Sequence, residues 1–243
     1  MKKIVLIRHG ESEWNKKNLF TGWTDVDLTD CGVKEAQDAG ERLLKDGYQF
    51  DIAFTSCLKR ASRTLDLVLQ KMGNENIEIN VDWRLNERHY GNLQGLNKKD
   101  IGEKFGEEQL LLWRRSYSVR PPAIEPENKF NQESDPMYKD VVVPKSESLE
   151  DVVLRVQAFW EEKIIPELKK DKNIIIAASG NSLRALVKYL DKISEDDIVN
   201  LNIPTGIPLI YELDENLNPI KNYYLAESSK LEEEVNKVAN QGK

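Results

Sequence analysis

The residues best equipped for chemistry come early: Arg8-His9-Gly10-Glu11 follows directly on the apolar run Ile4-Val5-Leu6-Ile7. That run has the length and composition of a buried strand, and in open α/β sheets ligands bind beyond the carboxyl ends of the strands. On its own Arg8-His9-Gly10 reads more readily as a turn beside a solvated arginine. Its continuation changes the balance. Ser12-Glu13-Trp14-Asn15 and Phe20-Thr21-Gly22-Trp23-Thr24 add hydroxyls, an amide and a glycine in one polar, aromatic-bordered stretch where charged oxygens can be held.

Further along stands a dispersed cationic set: Arg60, Arg88, Lys98, Arg114 and Arg115. Taken singly, each reads as a solvated surface charge. Gathered around the Arg8-His9 turn, they make a pocket for phosphate or for several anionic groups, since guanidinium matches phosphate oxygens bidentately. Cations also lower the pKa of a neighbouring imidazole and keep a lone pair available at neutral pH, which suits a histidine that accepts a phosphoryl group. With only His9, His89, Cys31 and Cys57 present, a His-rich or Cys-rich metal site is excluded by number. The two cysteines, lacking a CxxC arrangement, read as free thiols. No P-loop or kinase motif competes for the phosphoryl role.

Five stretches, residues 5–15, 19–25, 87–98, 113–117 and 180–186, closely resemble the 2,3-bisphosphoglycerate-dependent phosphoglycerate mutases. The Arg-His-Gly turn alone points to the wider histidine phosphatase superfamily. Glu87-Arg88-His89-Tyr90-Gly91-Asn92-Leu93-Gln94-Gly95-Leu96-Asn97-Lys98 and Trp113-Arg114-Arg115-Ser116-Tyr117 narrow it to the mutase branch. The resemblance runs from about residue 3 to about residue 227. It implies a three-layer α/β/α fold with a mainly parallel central sheet. It also implies cytoplasmic, metal-independent interconversion of 2-phosphoglycerate and 3-phosphoglycerate in glycolysis and gluconeogenesis, with 2,3-bisphosphoglycerate priming a phosphohistidine.

Carried over by motif, His9 would be the phosphorylated nucleophile and Glu87 the proton donor and acceptor. Arg8, Ser12, Asn15, Arg60, Gly180 and Asn181 would bind the transferring phosphoryl group. Thr21, Gly22, Arg88, Tyr90, Lys98, Arg114 and Arg115 would hold the substrate carboxylate and second phosphate. His89 would be a pocket-wall or structural residue. The family's habit also implies a homo-oligomer, a dimer or tetramer.

One position departs from the pattern. Where the mutases carry a second catalytic histidine, this sequence reads Ala178-Ser179-Gly180-Asn181. A serine hydroxyl still donates one hydrogen bond, but it is shorter than an imidazole and never cationic. Losing one preorganised donor of this kind costs about 10²–10³ in rate. The expectation is a folded mutase homologue that binds phosphoglycerates and turns over slowly, with Ser179 in a catalytic position. Two other functions use the same residues: a phosphatase of bisphosphoglycerate or phosphomonoesters, in which water is the second acceptor, and a non-catalytic phosphoglycerate-binding variant.

Strands are expected at residues 3–7, 51–55 and 173–178, each followed by a polar turn and a helical pattern. Helices are expected at 29–45 and 57–72, the second stopped by Gly73. Ser148-Leu149-Glu150-Asp151 has the form of a capping box and opens a long helix that should break or kink near Pro166. Such alternation implies a largely parallel sheet covered on both faces. Two final strands, 207–213 and 220–225, bracket a turn.

Residues 116–147 carry five prolines and no sustained periodicity, the mark of an irregular insertion that borders or closes a site. Residues 226–243 read as a mobile tail or marginal helix. With no repeat and no linker, residues 1–243 form one expected domain. Thirty-five basic against 42 acidic residues leave a net charge of −7, which argues against nucleic acid or a membrane surface as partner. The four apolar residues before Arg8 are too few for a secretory core of roughly 7–15. No apolar stretch approaches the roughly 20 residues of a membrane span.

Overall fold

Period-two alternation decides the centre of the molecule. Along strand β1 (Lys2–Arg8), Ile4 and Leu6 pack into one hydrophobic cluster and Val5 and Ile7 into another, and all four are buried. A strand apolar on both faces must lie inside a covered sheet. The computed structural model describes residues 2–240 and places β1 there. The sheet runs β3-β2-β4-β1-β5-β6, with β2 at Ile52–Thr55, β3 at Glu78–Val81, β4 at Ile174–Ala178, β5 at Leu209–Leu213 and β6 at Pro219–Tyr224. The first four strands are mutually parallel; β5 runs antiparallel to β1, and β6 to β5.

Helices α2 (Asp30–Lys45) and α3 (Lys59–Met72) cover the face carrying Val5, Ile7, Ala53, Ile175 and Ala177. Helices α6 (Leu149–Phe159) and α8 (Gly180–Asp191) cover the face carrying Ile4, Leu6, Ile52, Phe54, Ile174 and Ile176. The architecture is the expected α/β/α sandwich.

Local chemistry sets the helix ends. Thr29 Oγ1 accepts the Gly32 N–H in front of α2, and Gly73 closes α3 in the left-handed region at φ 65°. Ser148 and Asp151 cap one another reciprocally, as their spacing predicts, a device worth about 1 kcal/mol. Proline has no N–H and its ring clashes with the carbonyl four residues back. The chain meets this at Pro166 with a π turn, Trp160–Ile164, placed just ahead of α7 (Ile165–Lys169).

Against expectation stand one added strand, two shifted starts and a helical tail. Strand β3 has no apolar run to announce it, since three of its four residues are exposed at the sheet edge. Strand β5 begins after Pro208 rather than at 207, and the second helix begins at Lys59 rather than 57. Residues 116–147 hold one 3₁₀ turn, Pro136–Tyr138, and otherwise follow the surface without helix or strand. Where a mobile tail or marginal helix was expected, α9 (Ser228–Asn240) is helical and buries Val238; residues 241–243 lie outside the described ones.

Candidate active site

The carboxyl ends of β1, β2 and β4 meet at one place, and the polar turns that follow them share it. His9 N–H donates to the Ala178 carbonyl at 3.0 Å, which ties the turn after β1 to the end of β4. Gly10 N–H donates to Thr64 Oγ1 on α3 at 3.1 Å. Only glycine fits there: a Cβ on Gly10 would lie 2.2 Å from the Gly32 carbonyl oxygen at the start of α2. The turn is therefore wedged between two helices and the sheet.

That wedging orients the imidazole. His9 Nδ1 lies 2.8 Å from the Gly10 carbonyl, an acceptor, so Nδ1 carries the proton and Nε2 the lone pair. Nε2 in turn accepts from Arg60 Nε at 3.3 Å. Burial pushes the His9 pKa well below its ordinary value, with Arg60 and Arg8 adding to the effect, and the ring is neutral at pH 7. Arg60 is held by Thr24 O at 2.9 Å and Gly22 O at 2.7 Å, and burial lowers its pKa to about 10. Arg8 Nη1 donates to Ile203 O at 2.8 Å, while its buried Nε has no partner among the described residues.

Glu87 faces the same space from the loop beyond β3. Its backbone carbonyl accepts from Trp23 Nε1 at 2.7 Å and Arg155 Nη2 at 3.0 Å. Its Oε1 accepts from Arg88 N and from Asn181 Nδ2, both at 2.7 Å. Arg155 also forms a buried ion pair with Glu147, 2.7 Å from Nε to Oε1, and Glu147 Oε2 accepts from His89 N at 2.8 Å. The end of the proline-rich segment thus clamps the Glu87 turn from behind.

Around these lies a cavity of about 650 Å³ including its mouth. It gathers Arg8, His9, Asn15, Thr21, Gly22, Arg60, Glu87, Tyr90, Lys98, Arg114, Arg115, Gly180 and Asn181, thirteen residues singled out in the sequence. Asn15 arrives oriented: its Oδ1 accepts from Ser12 N at 3.1 Å, which leaves its NH₂ for the cavity. Lys98 opens α4 (Lys98–Phe105), and Arg114 and Arg115 end α5 (Glu107–Arg115); Phe20, Leu93, Ile101, Leu110 and Trp113 form the apolar cluster beneath them. Burial, then Arg114, lowers the Lys98 pKa to about 7. Burial lowers Arg115 to about 10, again with Arg114 contributing. A buried space with this much uncompensated positive charge fits a ligand with more than one anionic group.

Three expected site residues stand off the cavity wall. Ser12 spends its hydroxyl on the Asn15 N–H as the cap of α1 (Glu13–Lys16). Arg88 turns away and gives Nη2 to the Trp113 and Arg114 carbonyls at 2.6 and 2.9 Å, with Tyr90 OH at 3.3 Å. Ser179 is fully buried, and its Oγ has no partner among the described residues; Gly180 and Asn181 make the wall there. A hydroxyl one bond from Cβ does not reach where a longer ring would. His89, also buried, is structural: Nε2 pairs with Gln132 Oε1 at 3.0 Å and Nδ1 accepts from Gly91 N at 3.0 Å.

Four wall residues were not singled out: Leu19, Arg184, Ile203 and Val238. Arg184 had a signal, since it lies three positions after Asn181 on one helix face. Val238 comes from α9, and its carbonyl accepts from Arg115 Nη2 at 3.3 Å. Among the described residues, no group of three or more His, Cys, Asp or Glu is placed to hold a metal ion. No helix among them is long and apolar enough to cross a membrane.

The profile of the histidine phosphatase superfamily (branch 1) matches residues 4–143. Curated proteins of Borreliella burgdorferi (strain ZS7) and Borreliella afzelii (strain PKo), each named 2,3-bisphosphoglycerate-dependent phosphoglycerate mutase, are 54% identical over 246 residues, covering 100% of this chain and 99% of theirs. Among solved structures, a mycobacterial glucosyl-3-phosphoglycerate phosphatase aligns with a TM-score of 0.72 at 22% identity, covering 93% of this chain and 99% of its own. The alpha-ribazole phosphatase of Shigella flexneri aligns with a TM-score of 0.66 at 20% identity, covering 90% and 94%. At those identities the likeness is one of fold.

Proposed function

The chain belongs to the histidine phosphatase superfamily and, within it, to the 2,3-bisphosphoglycerate-dependent phosphoglycerate mutases, and from that premise we propose that it interconverts 2- and 3-phosphoglycerate through a phosphohistidine at His9. One observation carries the assignment of roles: a neutral imidazole with its proton on Nδ1 presents Nε2 to a cation-walled cavity that Glu87 also lines.

2,3-Bisphosphoglycerate supplies the first phosphoryl group. His9 Nε2 attacks the phosphorus, the bond to the ester oxygen breaks, and the departing alkoxide takes a proton from Glu87. Charge on the phosphoryl oxygens is met by Arg8, Arg60, the Asn15 amide and the Gly180 backbone, with Asn181 beside it holding Glu87. In the return direction the Glu87 carboxylate takes the proton of the acceptor hydroxyl as the phosphoryl group leaves Nε2. Lys98, Arg114 and Arg115 hold the carboxylate and the phosphate that does not react, so either end of the three-carbon skeleton can face His9.

Ser179 sets the pace. With its hydroxyl off the wall, the phosphoryl group lacks one donor, and turnover is reduced by about 10²–10³. The reaction needs no metal and belongs in the cytoplasm, in keeping with its place in glycolysis; the chain acts as one domain and as a homo-oligomer, as its relatives' family does. The test is incubation with 2,3-bisphosphoglycerate followed by intact mass, and then conversion of 3-phosphoglycerate followed by phosphorus NMR. One added phosphoryl group, absent in His9→Ala and present in His89→Ala, supports the reading. No phosphoryl adduct despite measurable binding overturns it.

A further inference from the structure

We propose that Arg184 is a positioning residue: it locks the Asn181 side-chain amide in the one orientation that donates to Glu87, and so governs proton transfer without touching the reacting atoms. The inference rests on Glu87 being the proton carrier. Arg184 lies three residues after Asn181 on α8 and is 4% exposed. Its Nη1 donates to Asn181 Oδ1 at 2.8 Å, and its Nη2 donates to the Ile198 carbonyl at 2.7 Å. Ile198 belongs to the 3₁₀ turn Asp197–Asn200, which Ser194 braces through Asp197 N at 3.0 Å. The guanidinium is therefore fixed at both ends.

An amide has one acceptor end and one donor end, so fixing the first fixes the second. Asn181 Nδ2 consequently points at Glu87 Oε1, 2.7 Å away, and at Tyr90 OH, 3.1 Å away. Rotated by half a turn, the amide would set its oxygen against the carboxylate and its NH₂ against the guanidinium. Both contacts would be repulsive, and the carboxylate would lose the donor that holds it in place. The other charged or titratable groups facing Glu87 are Arg8 from β1, Arg60 from α3, Lys98 from α4 and Tyr90 from its own loop. None of these donates to Asn181 Oδ1 in place of Arg184.

Arg184 also lines the cavity, which sets up the rival role of direct ligand. A double-mutant cycle separates the two. Arg184→Met should lower kcat by up to about 10²-fold while leaving KM near its starting value, the size expected when a reacting group is misplaced by about 1 Å. In an Asn181→Ala background the same substitution should add almost nothing. The Asn181 side-chain NH₂ pair, followed by nitrogen-15 NMR in the whole protein, should shift and exchange faster with water in Arg184→Met, as the amide is freed to turn. Additive losses, a rise in KM alone, or unmoved Asn181 NH₂ signals would overturn the proposal. If Arg184→Met does not fold, Arg184→Lys, which keeps the charge and loses the paired contacts, enters the same cycle with the same criteria. The NH₂ signals need no turnover, so they decide this point even where the phosphoryl adduct of His9 fails to form.

Discussion

Arg60 donates its Nε–H to the His9 Nε2 lone pair, the pair that the proposed mechanism directs at phosphorus. One guanidinium thus keeps that nitrogen deprotonated and, in the same mechanism, stands beside the phosphoryl oxygens. The Gly22 and Thr24 carbonyls keep it there, and they fix it in a way that a single ammonium cannot copy. Arg60→Lys should slow phosphohistidine formation by about 10²–10³, measured by rapid quench with 2,3-bisphosphoglycerate. A loss below threefold or so would show that the fork geometry is irrelevant.

Ser179→His should restore the missing donor. Mutase turnover is expected to rise by about 10²–10³, because an imidazole reaches the cavity where the serine hydroxyl stops behind its wall. Equal rates in the two proteins would mean that the wall already compensates.

Arg155 and Glu147 form a buried pair, each less than a tenth exposed, and together they hold the Glu87 and His89 backbone. Arg155→Met leaves the Glu147 carboxylate buried and uncompensated, at a cost of about 3–5 kcal/mol in urea unfolding. Adding Glu147→Gln should recover part of that stability but not the turnover, since the Glu87 carbonyl still lacks its Arg155 donor. Recovery of both would show that the clamp serves folding alone.

Lys98 makes ligand affinity pH-dependent. Its pKa is lowered to about 7, chiefly by burial and next by Arg114, and a bound phosphate favours the charged form and raises it again. Binding above pH 7 must therefore take up a proton. Affinity for 3-phosphoglycerate should fall as pH rises, by up to about tenfold per unit for one group. The phosphate's own second ionisation, near pH 6, is complete in that range. Calorimetry in two buffers of different ionisation enthalpy should register the uptake, and Lys98→Met should flatten the slope; an identical slope in both proteins would assign it elsewhere.

His89 gives the acid side of stability. Burial lowers its pKa to about 4 from an unfolded value near 6.5, so the native state resists protonation that the unfolded chain accepts. The stability it contributes is intact above pH 6.5 and is lost as pH falls toward 4, on the order of 3 kcal/mol in total. His89→Gln should remove that slope between those limits in urea titrations. A slope unchanged by the substitution would place the acid lability in another group.

How far the sequence foretold this depends on where each residue sits. β1, β2 and β4 were legible because buried parallel strands are continuous apolar runs, and Ile4–Ile7 and Ile174–Ala178 are such runs. β3 was not, because an edge strand needs no such run and its side chains mostly face water. Residue types and motif matches singled out thirteen residues that line one cavity. They could not say which way a side chain turns: Ser12 to its own helix cap and Arg88 to the end of α5. Ile203 and Val238 reach the wall only through contacts distant along the chain, and no local pattern records those.

The register of β1 bears on how the protein is made. Ile4 pairs with Ile174 on one side and Tyr211 on the other, both of which are synthesised long after it. At synthesis rates of about 5–20 residues per second, the apolar strand that carries His9 waits roughly ten to thirty seconds for its first neighbour. Until then it is an unpaired, aggregation-prone edge, and the centre of the sheet closes late, against a large loop entropy. Gly180 and Asn181 enter the cavity wall only after β4, so a chain stopped short of them lacks part of the site, and the stabilising effect of a bound ligand comes after the sheet has closed.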